Sequence, residues 1–188
     1  MFKNPKGQFG YLAAARKRSI LTTSLFFAIA LILYIIGIVQ YGSNRNFFTL
    51  AAILLCLPGG KAAVRMIMCL RAKGATDEEH TAICAAIGDL PGSYDLYLTS
   101  YTQNFAISHM AYRNKTLVAY SGDPGCQEAD FQKHMTQMLK NDDISGITIS
   151  LFTDLAKYTE RLKELQKMEE RDPAFGEKVL HVAESVSL

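Results

Sequence analysis

Hydrophobic and polar positions alternate with a different rhythm in each part of the chain. Ile20 to Tyr41, ILTTSLFFAIALILYIIGIVQY, carries no charge, and only Thr22, Thr23, Ser24 and Gln40 are clearly polar. At ~1.5 Å per residue it reaches roughly 33 Å, enough to cross a ~30 Å hydrocarbon core. YGSNRN (41–46) is a short polar turn, and FFTLAAILLCLPGG (47–60) resumes the apolar run. That second run gives only ~21 Å of helix.

Continuing through KAAVRMIMCL restores the length but brings in Lys61 and Arg65. A cation at the bilayer centre costs ~2.5–3.5 kcal/mol on insertion scales, while near a helix end its stem snorkels to the surface. Pro58 lacks the amide that would bond back to Leu54, and Gly59-Gly60 tolerates a bend. On a helical wheel Lys61, Arg65 and Ala72 fall together, opposite Ala63, Ile67 and Leu70, which is an amphipathic stretch. The pattern therefore predicts spans over about 20–41 and 47–66. The second kinks at 58–60, and Lys61 and Arg65 emerge among headgroups. A charged pair inside a transport pathway is the alternative for the same two cations.

Beyond residue 73 the pattern is mixed. Thr76 and Glu79 form a capping-box pattern at the start of TDEEHTAICAAIG, which predicts a helix ending near Gly88. YDLYLTSY (94–101), FAISHMAY (105–112) and TLVAYSG (116–122) alternate as strands, separated by TQN and RNK turns. DPG at 123–125 is a turn. Phe131, Met135, Met138 and Leu139 then share one helical face. ISGITISLF (144–152) reads as a fourth strand. Leu155, Tyr158, Leu162, Leu165 and Met168 mark a last helix, stopped by Asp172-Pro173. KVLHVAESVSL suits either a further strand or a loose tail. The predicted fold is two transmembrane helices followed by a small α/β (α+β) domain over 74–188, a mixed sheet in the order α-β-β-β-α-β-α. About 115 residues suffice for one modest core.

Charge sharpens this division. Of 20 basic residues, Lys3, Lys6, Arg16, Lys17, Arg18, Arg45, Lys61, Arg65, Arg71 and Lys73 lie in 1–73, which holds no Asp or Glu; all 18 acidic residues follow. A basic, apolar front and an acidic, mixed back fit a membrane anchor (1–73) joined to a soluble domain. Arg16-Lys17-Arg18 resembles the basic region of a signal peptide, but the apolar run is too long, no A-x-A site follows, and a second run comes next. Cations flank the outer ends of both spans and only Arg45 marks the hairpin tip, so the positive-inside rule places both termini and the domain in the cytosol. The four cysteines, Cys56, Cys69, Cys84 and Cys126, show no C-x-x-C spacing, which argues against structural disulfides.

Candidate chemistry is thin. His80 and Cys84 stand at i and i+4, a spacing able to hold one metal, but Cys126, His109 and His134 are not spaced to complete four ligands. GDPGC lacks the lysine and serine or threonine of a phosphate loop, and Cys126 has no placed base. No basic stripe offsets the acidity of 74–188, which disfavours nucleic acid as partner. The cations near the spans (Arg16, Lys17, Arg18, Lys61, Arg65, Arg71 and Lys73) are candidate contacts for anionic lipid, at ~1 kcal/mol each, or serve orientation only.

The order α-β-β-β-α-β resembles the core of restriction-endonuclease-like domains, including the NERD type found near membrane helices. The segment ISHMAYRNKTLVAYSG (107–122) looks like that family's second and third strands. The resemblance implies Asp-His on one strand and Glu-x-Lys on the next. His109 matches the His, but Ser108 stands for the metal-binding Asp, and Ala119 and Ser121 stand for Glu and Lys. Hydroxyls and a methyl cannot hold Mg²⁺ or neutralise a developing phosphorane. What the resemblance then implies is a degenerate fold reused for binding.

The sequence thus assigns no catalytic residue, cofactor or metal ligand. It points to a multi-pass cell-membrane protein whose cytosolic domain serves binding or assembly, with the lipid bilayer and a protein partner or self-association as partners. The alternatives are a membrane-tethered divergent nuclease or other hydrolase, and an accessory subunit of a transport complex.

Overall fold

A computed structural model describes residues 5–100, 103–169 and 172–188. Lys3, Tyr101 of the first expected strand, Thr102 of the TQN turn, and Glu170 and Arg171 of the expected last helix lie outside them. The elements are α1 (Tyr11–Tyr41), α2 (Phe47–Arg71), α3 (Asp77–Ile87), β1 (Gly92–Thr99), β2 (Asn104–Arg113), β3 (Thr116–Tyr120), α4 (Glu128–Asn141), β4 (Thr148–Phe152), α5 (Leu155–Gln166) and α6 (Pro173–Val186). They form two compact units: Ala13–Arg71, and residues 5–12 with Ala72–Leu188. The N-terminal segment therefore packs with the α/β unit, not with the expected anchor of 1–73.

Within the first unit α1 and α2 form an antiparallel hairpin. Asn46 caps α2, its Oδ1 accepting from the Thr49 N–H at 2.8 Å while its Nδ2 donates to the Ser43 carbonyl at 2.7 Å. Gly37 makes room for this turn, since a Cβ there would lie 2.6 Å from Asn46 Oδ1. Ser19, Thr23, Ala30 and Gly37 of α1 and Ala52, Gly59 and Cys69 of α2 are buried. Small side chains let the helix backbones approach closely, as in membrane helix pairs. The expected kink does not break α2, whose helical backbone runs through Pro58 to Arg71. Pro58 itself is exposed, and Gly59 beside it sits against Phe26 and Phe27.

Both helices are long and apolar enough to cross a membrane, with mean hydropathy of 2.4 and 1.8 in their best windows. Among the described residues every exposed large hydrophobic side chain lies between Ile20 and Leu70.

The second unit is a four-stranded mixed sheet in the order β1-β2-β3-β4, antiparallel except for the β3–β4 pair joined through α4. Helices α4 and α6 bury Phe131, Met135, Leu139, Val179 and Ala183 on one face, against Leu96, Leu98, Phe105, Ile107 and Leu117. Helices α3 and α5 bury Ile83, Ala86, Tyr158, Leu162 and Leu165 on the other, against Ala111, Val118 and Tyr120. The first residues of α1 complete that second face, where Leu12 and Ala72 cover Tyr97.

The α/β unit departs from the sequence reading at its C-terminus and along β1, among other places. KVLHVAESV is neither strand nor tail but α6, started by Asp172, whose side chain accepts from the Phe175 N–H at 3.1 Å, with Pro173 in the first turn. Beyond the helix, Ser187 bridges Leu98. Strict alternation also fails in β1. Tyr94 packs with the α3/α5 side while Leu96 and Leu98 face α4 and α6. The switch occurs at Asp95, which has φ of 55° and leaves a gap in the ladder between Tyr94↔His109 and Leu96↔Ile107.

Candidate functional site

Register places four rings in one row across the sheet, one per strand: Tyr94, His109, Tyr120 and Phe152. Tyr158 of α5 packs under this row, stacked on Tyr120 with ring centroids 5.4 Å apart. His109 Nδ1 and the Tyr158 hydroxyl are 2.6 Å apart. Burial pushes the His109 imidazole down to about 3, so it is neutral across the physiological range. Burial likewise raises the Tyr158 phenol. Tyr120 donates to Glu79 Oε1 at 2.8 Å, while the other Glu79 oxygen accepts from the Thr76 N–H in the capping box. The hydroxyls and the carboxylate of this network therefore have internal partners, as buried polar groups require.

The row reaches solvent at α3. Cys84 is exposed, its Sγ 3.4 Å from His80 Nε2 and 3.6 Å from the Tyr94 hydroxyl. Phe9 of the N-terminal segment stacks on His80 with centroids 3.9 Å apart. That segment is fixed by a Gly7–Tyr94 bridge and by Lys6, which donates to the Ser187 carbonyl at 2.6 Å. A thiol beside an imidazole can lose its proton to that base. Among the described residues, however, no group of three or more His, Cys, Asp or Glu is placed to hold a metal.

The i, i+4 spacing thus brings His80 and Cys84 together as expected. His109 lies beneath them behind Tyr94, while His134 and Cys126 are elsewhere. His134 stacks on Phe105, and burial raises the Cys126 thiol. The positions aligned with the nuclease motif, Ser108, Ala119 and Ser121, are all buried. Ser121 donates to the Ala106 carbonyl at 2.7 Å and accepts from the Asp123 N–H. Sequence reasoning missed Phe9, Tyr94, Tyr120 and Tyr158. Only the strand register, set beyond the switch at Asp95, puts Tyr94 and Tyr120 in one row with His109 and Phe152.

The cations gather at one end of the helix hairpin. Arg16 Nε donates to the Cys69 carbonyl at 3.3 Å, which aligns the start of α1 with the end of α2. Lys17, Arg18, Arg71 and Lys73 are exposed near these positions in the chain, and Arg45 is at the opposite turn. Stepping four residues along both helices from the Arg16–Cys69 contact places Arg65 level with Ile20, and eight residues place Lys61 level with Ser24. Lys61 and Arg65 therefore lie alongside the start of the apolar run of α1.

No protein-family model matches the chain, and comparison with curated proteins and with solved structures returned no match.

Proposed function

We propose that the chain is a two-span membrane protein with both termini and the α/β unit on the cytosolic side, acting by binding or assembly without catalysis. The observation that carries the membrane reading is the confinement of exposed large apolar side chains to α1 and α2, whose shared seam is already filled by small residues. Such a surface is stable in lipid and unstable in water. The cation-rich end of the hairpin supports the orientation. The internal engagement of Glu79, His109 and Tyr158 supports a binding role, as does the burial of Ser108, Ala119 and Ser121.

Cysteine labelling tests this topology. Ser43→Cys in a Cys84→Ser background should react with an impermeant maleimide on intact cells. Native Cys84 should react only after permeabilisation. Equal labelling of Cys84 before and after permeabilisation would refute the orientation. Absence of catalysis is tested on the full chain, because residues 5–12 are part of the α/β unit. It should leave DNA and RNA intact in Mg²⁺ or Mn²⁺.

The Cys84–His80 contact favours one second reading, a thiol hydrolase held at the membrane. Turnover of a thioester or peptide substrate that disappears in Cys84→Ser would establish it.

A further inference from the structure

We propose that Lys61 and Arg65 form a site for the phosphate of an anionic phospholipid, in the leaflet at the Arg16–Cys69 end of the hairpin. The proposal rests on the membrane reading above. Both side chains are exposed, one turn apart on α2, level with Ser24 and Ile20 of α1. Helical geometry puts Lys61 roughly 180° from the seam residue Ala52, so it points away from α1. Residues 1–73 contain no Asp or Glu, and neither Lys61 nor Arg65 takes part in an ion pair among the described residues.

Two like charges at i, i+4 repel each other, and both sit beside apolar helix surface. The helix supplies no anion to relieve this, so the counter-charge comes from the surroundings. In a membrane those are headgroups. An arginine fork donates to two phosphate oxygens at once, and the lysine adds a point charge from one turn deeper. Helical side chains lean toward the N-terminus, which for α2 is away from this end. Lys61 therefore cannot reach the headgroup layer by extending along its natural direction.

The test uses the purified full chain in mild detergent, delipidated and then given equal amounts of phosphatidylglycerol and phosphatidylcholine. Native mass spectrometry should show phosphatidylglycerol retained roughly tenfold over phosphatidylcholine. Lys61→Gln with Arg65→Gln should lower the ratio several-fold, leaving only what the other cations at that end contribute. Arg45→Gln, at the other end, should leave it unchanged. The charge-keeping pair Lys61→Arg with Arg65→Lys should preserve the preference, which separates lost charge from lost folding. No preference in the wild type, or full preference in the double Gln variant, overturns the site. Flotation with vesicles separates the two readings. A chain that floats with neither phosphatidylcholine nor mixed vesicles refutes the membrane reading as well. One that floats with both but shows no lipid preference refutes the site alone.

Discussion

Replacing Asp95 with alanine removes a buried carboxylate on which two distant stretches of chain converge. Its Oδ1 accepts from the Ala75 N–H at 2.8 Å, and the backbone of Gly10 and Leu12 lies close enough to favour its charged form. Gly74 fits against it so closely that a Cβ would lie 2.7 Å from Oδ1. Losing the Ala75 hydrogen bond, together with the weaker pull on the Gly10 and Leu12 backbone, gives a loss of about 2 kcal/mol for Asp95→Ala. The higher figure for charged acceptors does not apply in full, because burial lifts the carboxyl above its usual range and so offsets part of the charge-assisted gain. Asp95→Asn keeps one oxygen as acceptor and should cost about 1 kcal/mol. Asp95→Gly loses the same bonds as alanine but relaxes the left-handed backbone at φ of 55°, regaining about 1 kcal/mol. Denaturation in micelles followed by tyrosine fluorescence reads these values, since the chain has nine Tyr and no Trp. Hydrogen exchange should accelerate first at residues 10–12 and 75. An alanine loss below about 1 kcal/mol, or an asparagine variant as damaged as alanine, refutes the clasp.

Acidity supplies an independent check with a definite sign. Because the folded carboxyl titrates above 3.8, folding takes up a proton between that value and the raised one. Wild type should therefore gain stability over Asp95→Asn as pH falls through this window. The gain is complete near 3.8 and is lost as pH rises through the folded value.

Two further predictions concern the other buried elements. His109 has the opposite sign: held down to about 3 from 6.5, its stabilising contribution is intact above 6.5 and lost as pH falls toward 3. Stability measured from pH 6.5 down to 4 should fall less steeply in His109→Gln than in wild type, by up to ~1.4 kcal/mol per pH unit; equal slopes would show that His109 is not buried neutral. In the hairpin, Gly59→Ala should be nearly neutral, its Cβ meeting Phe26 Cβ at an ordinary 3.6 Å, whereas Gly37→Ala should lower the thermal midpoint in micelles by displacing the Asn46 cap. Equal midpoints for the two variants would contradict the close fit of Gly37 to that cap.

Local signals in the sequence carry through to the structure where one residue type meets one backbone need. The Thr76–Glu79 box forms with both hydrogen bonds, at 3.2 and 2.8 Å, and α4 and α5 bury the apolar faces their spacing marks out. Signals with two meanings mislead. Asp172-Pro173 reads as a helix stop but begins α6, since Asp is an N-cap and Pro a first-turn residue, while α5 already ends at Gln166. The fourth strand begins at Thr148, not at Ile144, because Asp143 and Gly146 take positive φ and keep the preceding residues out of the ladder. The aromatic row is illegible in the sequence, because its register follows only once the switch at Asp95 is known.

The closure of this sheet restricts how the α/β unit can bind. A module that recognises partners by strand addition needs a free edge with unpaired N–H and C=O groups. On β1, Gly7 bridges Tyr94 and Ser187 bridges Leu98. On β4, α4 supplies substitutes for a neighbouring strand: Glu128 Oε1 accepts from the Leu151 N–H at 3.3 Å, and Gln132 Nε2 donates to the Ile149 carbonyl at 2.8 Å. Both faces are under helices, so on the binding reading proposed above a partner would read side chains on the outer surface. The Cys84–His80 corner of α3 is the place where the internal ring network meets that surface. Phe9 stacks there on His80, and its segment runs on to Gly10 beside the Asp95 carboxylate that accepts from the Ala75 N–H.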